Sequence, residues 1–273
     1  TGEAYYFFVF ALNFLLLALA LRNYTLVFEH YGYNRLGWFL TVLLLNPFLY
    51  ATVSSLNKEI WGIYFVSAFL RYGIFRQYSR FALAAVISLF LRDAYFAAAM
   101  AFLFVRLLPF RRYMYLLGVS LLVPVLAQID RNLASLDLDQ RSAALFGTLG
   151  KIETIPLGYI FTYPIKVAIQ LFAAAAPHRY LQISPHDLYG GAVTASASIA
   201  LITSIVIVRG YLIGRRQTSQ PVIDLFLAYT IVFCFVPFSV HRLFTPLVPL
   251  LTLWAFSLVE ATPNRSNRPK LSP

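Results

Sequence analysis

Apolar runs long enough to cross a lipid bilayer recur along most of this chain, and they limit its fold more than any other feature. A transmembrane helix needs about 20 predominantly apolar residues to cross the hydrocarbon core. Such runs predict membrane spans at residues 5–21, 36–56, 60–75, 113–129, 189–208, 222–239 and 243–260. Two further runs are long enough but interrupted: 81–105 has Arg92-Asp93 at its centre, and 154–176 contains two prolines and a lysine.

The composition agrees with a membrane protein. Hydrophobic residues make up 60% of the 273 residues and charged residues only 12%, whereas soluble domains average about 45–50% apolar and about 25% charged. This composition argues against a cytosolic enzyme, a disordered tail and a secreted disulfide scaffold. We expect an all-α polytopic transmembrane bundle of about eight or nine spans, one or two of them broken or re-entrant. Residues 1–260 form a single domain in this interpretation, followed by a basic disordered tail, 261–273.

The charge balance bears on partners and orientation. The net charge is +11, which in a membrane protein is typical of cytoplasmic loops that meet anionic lipid, so we expect anionic lipids and no nucleic acid as partners. Two topologies fit the loop charges equally well. Either all nine candidate segments cross, or 81–105 is a hairpin broken at Arg92-Asp93 and 154–176 is re-entrant. Both topologies leave the C-terminus in the cytoplasm and place three polar sites on the other side: Lys58-Glu59, residues 178–187 and His241-Arg242.

Arg92 is the strongest single indication of function, because an arginine in the middle of a span is rare without a cavity or a partner. A broken helix at this point would direct its backbone dipoles and a guanidinium group toward an anionic ligand. The structural alternative is a self-neutralised Arg92-Asp93 pair, or an arginine that extends along a tilted helix to the membrane surface.

Lys58 and Glu59 lie at the mouth of the span 60–75. A carboxylate at a helix N-terminus is often only a solvated cap that is favourable with the helix dipole. In a functional site, Glu59 could act as a general base and Lys58 could contact a phosphate.

His241-Arg242 and the segment 178–187 supply the remaining candidates. His241 precedes the last, proline-containing span and can exchange a proton near neutral pH, which Arg242 cannot. Arg242 alone is most often an interfacial anchor. The other segment contributes Arg179 and His186, with His186 directly before an aspartate.

No motif for a metal, nucleotide or hydrolase site is found in the sequence. There is one cysteine, which excludes an internal disulfide, and no CxxC, HExxH, GxSxG or GxxxxGK[ST] motif occurs. We therefore expect no metal and no cofactor.

The order of these features resembles the membrane polymerases of surface polysaccharides, the O-antigen (Wzy-type) and exopolysaccharide (EpsG-type) polymerases. The resemblance covers residues 55 to about 253 and rests on four short motifs: the Asn57-Lys58-Glu59 sequence at a span mouth, Arg92 between two half-spans, the proline-containing segment 154–176, and Arg242 before the last span. Members of this group are usually longer, so we expect further N-terminal spans.

The resemblance implies an enzyme of the bacterial inner membrane that joins polyprenyl-diphosphate-linked oligosaccharide repeat units. Fixed cations would bind the diphosphate, and a proton acceptor would activate the acceptor hydroxyl. The candidate diphosphate-binding residues are Arg92, Arg242, Arg179 and Lys58. The candidate catalytic bases are Glu59, His241 and His186. Partners would be the lipid-linked glycan and other membrane proteins of polysaccharide assembly.

Two other classes of function are consistent with the same sequence features. A transporter or flippase of a lipid-linked or anionic solute also needs a split helix and a mid-membrane arginine. However, the sequence shows no internal repeat. A non-catalytic partner in a glycan-assembly complex would tolerate substitution of all these residues.

Overall fold

The computed structural model describes residues 2–53, 59–107, 188–215, 220–234 and 245–260. Throughout these ranges the regular elements are helices. In chain order they are α1 Gly2–His30, α2 Leu36–Leu44, α3 Pro47–Val53, α4 Glu59–Ile74, α5 Tyr78–Leu91, α6 Asp93–Leu107, α7 Leu188–Leu212, α8 Gln220–Cys234 and α9 Leu247–Glu260. The all-α prediction is confirmed for this part of the chain, while the predicted spans 113–129 and 154–176 lie outside the described residues.

The distribution of apolar side chains is that of a membrane protein. Two helical stretches, Tyr5–His30 and Thr194–Leu212, are long and apolar enough to cross a bilayer, and the bent α2–α3 pair could form a third span. Large apolar side chains point away from the protein, with Phe90 85% and Leu212 82% exposed. Polar side chains lie in the interior instead. Soluble proteins rarely expose apolar surface of this extent.

Helices α4 and α9 form the centre of the bundle, because both are buried around most of their circumference. A helix that is apolar on all sides belongs in a core.

Small residues let neighbouring helices approach closely. A Cβ atom added to Gly73 of α4 would lie 2.6 Å from the Phe102 ring of α6, and one added to Gly210 of α7 would lie 3.1 Å from Leu258 of α9. Membrane helices commonly pack through such positions.

The segment 81–105 is a helical hairpin. The rings of Phe81 and Phe102 are 6.2 Å apart, whereas a straight helix would separate them by about 31 Å. Helix α5 ends at Leu91, Arg92 adopts an extended conformation with φ −166° and ψ 120°, and α6 begins immediately afterwards. The hairpin alternative is therefore confirmed for this segment, and the plain crossing is wrong.

The segment 36–56 is not the uninterrupted span that its apolar length predicts. Helices α2 and α3 meet at a bend of 61°. At this break the Asn46 side chain accepts a hydrogen bond from the Phe48 N–H (3.1 Å) and donates one to Ser196 of α7 (3.2 Å). Pro47 has no N–H for a continuous helix and suits the first position of the next one. The Asn-Pro pair, rather than hydrophobicity, decides the local structure.

The helix directions define two ends of the bundle. Helices α1 and α4 run parallel, since Asn23 bonds Ser67 (3.1 Å) and the rings of His30 and Phe75 lie 4.8 Å apart. Helix α1 also continues nine residues past the predicted end at 21, so Arg22 lies within a helix and not in a loop. The last turns of α4, α6 and α7, the starts of α2 and α5, and the residues that flank these helices carry the arginines of what we call the arginine-rich end: Arg35, Arg71, Arg76, Arg80, Arg106, Arg209 and Arg215.

Contacts of α9 complete this end of the bundle. Arg215 donates hydrogen bonds to the last carbonyl groups of α9, those of Leu258 (3.1 Å) and Val259 (2.8 Å). Arg35 forms an ion pair with Glu260 at 3.5 Å. A cation at a helix C-terminus stabilises the unpaired carbonyl groups and the dipole. The opposite end, where α4 begins, is called the Glu59 end below.

Candidate functional site

Glu59 is the first residue of α4, and its side chain is buried, with 7% of the residue exposed. Negative charge is favourable at this position because the N-terminal N–H groups of a helix have no intrahelical partners. Burial of a carboxylate is costly away from water. Glu59 is therefore held inside the bundle and does not form a solvated cap at its surface, which was the structural alternative.

Arg92 lies at the tip of the α5–α6 hairpin, at the same end of the bundle as Glu59. Its N–H donates to the Ser88 carbonyl oxygen (2.9 Å), and its own carbonyl accepts from the Tyr95 N–H (3.0 Å). The extended backbone at Arg92 thus separates two helices and leaves a half-buried side chain between them. Among the described arginines, Arg92 alone lies at the Glu59 end.

Two buried tyrosines connect the two charges. The Tyr95 hydroxyl of α6 lies within hydrogen-bonding reach of the Arg92 side chain and of the Tyr229 hydroxyl of α8. Tyr95 and Tyr229 are only 2% and 1% exposed. Both hydroxyls lie within electrostatic range of Arg92 and of Glu59. The site therefore combines a half-buried guanidinium group with a buried carboxylate and two buried phenols.

The start of α9 and a glycine of α4 close the site from the other side. A Cβ atom added to Gly62 would overlap the Tyr95 hydroxyl and would lie 2.8 Å from Cγ of Pro246. Only glycine leaves room for Tyr95 in this arrangement. The rings of Tyr229 and Phe233 stack at 4.1 Å and pack against Tyr95. Helices α4, α6 and α8 and the residue before α9 thus fix the tyrosines.

The depth of the site follows from the register of α1 against α4. Asn23 pairs with Ser67, 44 residues later, and because the two helices run parallel, Glu59 lies level with Leu15. Leu15 is near the middle of the apolar stretch Tyr5–His30. In a bilayer crossed by α1, Glu59 and Arg92 would lie about half-way through the hydrocarbon region. Ionisable groups at that depth usually mark a functional site.

The structure thus brings together two of the residues proposed from the sequence, Glu59 and Arg92. The remaining candidates, Lys58, Arg179, His186, His241 and Arg242, lie outside the described residues. Sequence reasoning missed Tyr95 and Tyr229, because a buried tyrosine and an interfacial tyrosine have the same apolar ring and polar tip. The available signal was that Tyr95 follows Arg92 by only three residues in the sequence.

No family model, curated protein or solved structure matches this chain. The chemistry of the site is therefore the main guide to function. Arg92 offers a planar fork of donors that suits phosphate oxygens. Glu59 can accept a proton, and the two phenols can donate hydrogen bonds to a bound anion. Across the described ranges, no three His, Cys, Asp or Glu side chains are grouped as metal ligands.

Proposed function

We propose that this protein is a membrane glycosyltransferase that joins polyprenyl-diphosphate-linked oligosaccharide repeat units for a surface polysaccharide. The observation that supports this most is the cluster of the buried Glu59, Tyr95 and Tyr229 with the half-buried Arg92. A lipid-linked diphosphate carries its anionic group at the membrane, where a half-buried guanidinium could bind it. The resemblance to Wzy-type and EpsG-type polymerases agrees with this proposal.

In the proposed reaction, the acceptor hydroxyl oxygen attacks the anomeric carbon of the donor repeat unit. The bond from that carbon to the diphosphate oxygen breaks, and the polyprenyl diphosphate leaves with both electrons. Arg92 stabilises the negative charge that develops on the leaving group. Glu59 accepts the proton of the acceptor hydroxyl. In this proposal Lys58, Arg179 and Arg242 are further diphosphate contacts, and His186 or His241 is the alternative base.

The direct test is glycan elongation in bilayers. Lipid-diphosphate-linked repeat units supplied to the purified full-length protein should give a ladder of products that differ by one repeat unit. A protein that binds the lipid-linked substrate but never lengthens it would refute the polymerase proposal. The wild-type ladder is also the reference for the variants discussed below.

We further propose that the protein lies in a bacterial inner membrane with its arginine-rich end and its C-terminus in the cytoplasm, because basic residues are retained on that side. Changing the single cysteine, Cys234, to serine gives a cysteine-free background. Single cysteines at Asn34 and Ser79, both exposed at the arginine-rich end, should react with a membrane-impermeant maleimide in inside-out vesicles and not in intact cells. Labelling of both in intact cells would reverse the orientation.

A transporter or flippase of a lipid-linked or anionic solute is the second candidate. Two broken helices favour it, the α2–α3 pair with its buried Asn46–Ser196 hydrogen bond and the α5–α6 hairpin, since transporters use such breaks at substrate sites. The product separates the two functions, because transport moves an unchanged molecule whereas polymerisation lengthens it.

A further inference from the structure

The Tyr95 hydroxyl is the point at which three separate parts of the site meet. It lies within hydrogen-bonding reach of the Arg92 side chain at the hairpin tip and of the Tyr229 hydroxyl on α8, and it faces Gly62 on α4. The backbone N–H of Tyr95 also donates to the Arg92 carbonyl (3.0 Å), and the rings of Tyr95 and Tyr229 lie 6.2 Å apart. Its ring packs against Phe233 at 5.5 Å and against Phe65 at 6.2 Å. The ring therefore has little freedom to move, and its oxygen is a fixed acceptor.

Arg92 needs such an acceptor more than an arginine within a regular helix does. It lies in an extended break between two helices, and an arginine side chain has about 2 kcal/mol of rotamer entropy to lose on ordering. A fixed, neutral oxygen orients the guanidinium without neutralising it, in contrast to a carboxylate. The charge of Arg92 then remains available for an anion.

We propose that Tyr95 is a positioning residue that holds the Arg92 guanidinium in the orientation in which it binds the diphosphate, with Tyr229 holding the Tyr95 hydroxyl in turn. This inference rests on the proposed function in so far as it names the diphosphate as the bound anion. The contact between Tyr95 and Arg92 can be tested independently of that function.

The kinetic test compares Tyr95→Phe with Tyr24→Phe. Tyr24 is equally buried, at 1% exposed, but among the described residues its hydroxyl has no hydrogen-bond partner, so its removal should leave activity unchanged. Tyr95→Phe should raise the apparent KM for the lipid-linked donor about tenfold, as expected for a lost hydrogen bond to a charged group. The value of kcat should fall as well, because the Arg92 guanidinium also stabilises the charge that develops on the leaving group in the transition state. Equal KM values for the two variants would overturn the inference.

The second test is a double-mutant cycle on thermal unfolding in lipid or detergent. If Tyr95 and Arg92 interact, the Tm decreases of Tyr95→Phe and Arg92→Ala should sum to more than the decrease in the double variant. The matched cycle of Tyr24→Phe with Arg92→Ala should be additive. Additivity in both cycles would overturn the contact even if the wild type elongates glycan. If the cycle of Tyr95→Phe with Arg92→Ala shows coupling but the wild type gives no glycan ladder, the Tyr95–Arg92 contact is supported and only the proposed polymerase function is refuted.

A third variant keeps the inference testable if Tyr95→Phe does not fold. Tyr229→Phe removes the outer hydroxyl and leaves the Tyr95–Arg92 contact in place, so the KM should rise in the same direction by about threefold, the effect expected for a neutral hydrogen bond. An unchanged KM in folded Tyr229→Phe would show that Tyr229 does not hold Tyr95.

Discussion

Arg92→Ala should reduce the rate of glycan elongation at least about 100-fold in a protein that still folds. The substitution removes the guanidinium that binds the diphosphate oxygens, and a bidentate charge-assisted contact is worth about 3 kcal/mol, or about two factors of ten. Arg92→Lys should retain part of the activity, because an ammonium group keeps the charge but not the planar fork. The measurement is the elongation rate on lipid-linked repeat units in bilayers.

Arg80→Ala is the matched control for this prediction. Arg80 is exposed at the arginine-rich end, and its guanidinium forms a long hydrogen bond (3.4 Å) to Gln77. Its removal takes the same charge from the protein without touching the site, so elongation should continue at the wild-type rate. If folded Arg92→Ala also elongates at that rate, Arg92 has no part in the reaction and the proposed site is wrong.

The presence of apolar helices, and the extent of α4, could be predicted from apolar length, because a membrane span is a property of composition over about 20 residues. Helix α4, expected at 60–75, is found at Glu59–Ile74. The hairpin could be proposed from Arg92, since a charge in mid-span interrupts a helix that faces lipid. The loop charges fit a hairpin and a plain crossing equally well. Only the contact between Phe81 and Phe102 in the folded chain distinguishes the two.

The bend at Asn46 and the tyrosine pair could not be predicted by the same reasoning. Hydropathy is averaged over a span and hides one polar residue, so the partner of Asn46 on α7 is apparent only in the folded chain. Tyr95 and Tyr229 are far apart in sequence and belong to different helices. A buried tyrosine and an interfacial tyrosine look alike in sequence, because both have an apolar ring and a polar tip.

Glu59→Gln should lower kcat about 100-fold to 1,000-fold, within the range attributed to general base catalysis, while the KM for the donor stays nearly constant. Glutamine preserves the shape of the side chain and can still hydrogen-bond, but it does not accept the proton of the attacking hydroxyl at neutral pH. The buried position of Glu59 at the start of α4 means that removing its charge also relieves a desolvation cost. The variant should therefore fold.

Glu29→Gln is the control for the Glu59 prediction, because Glu29 is exposed near the opposite end of α1 and its neutralisation should leave kcat unchanged. The changes in kcat and in KM together distinguish the two possible roles of Glu59. A rise in KM without a fall in kcat would mean that Glu59 orients the substrate and does not accept the proton. Wild-type kinetics in Glu59→Gln would transfer the base role to His241, and His241→Gln should then show the fall in kcat that was expected at Glu59.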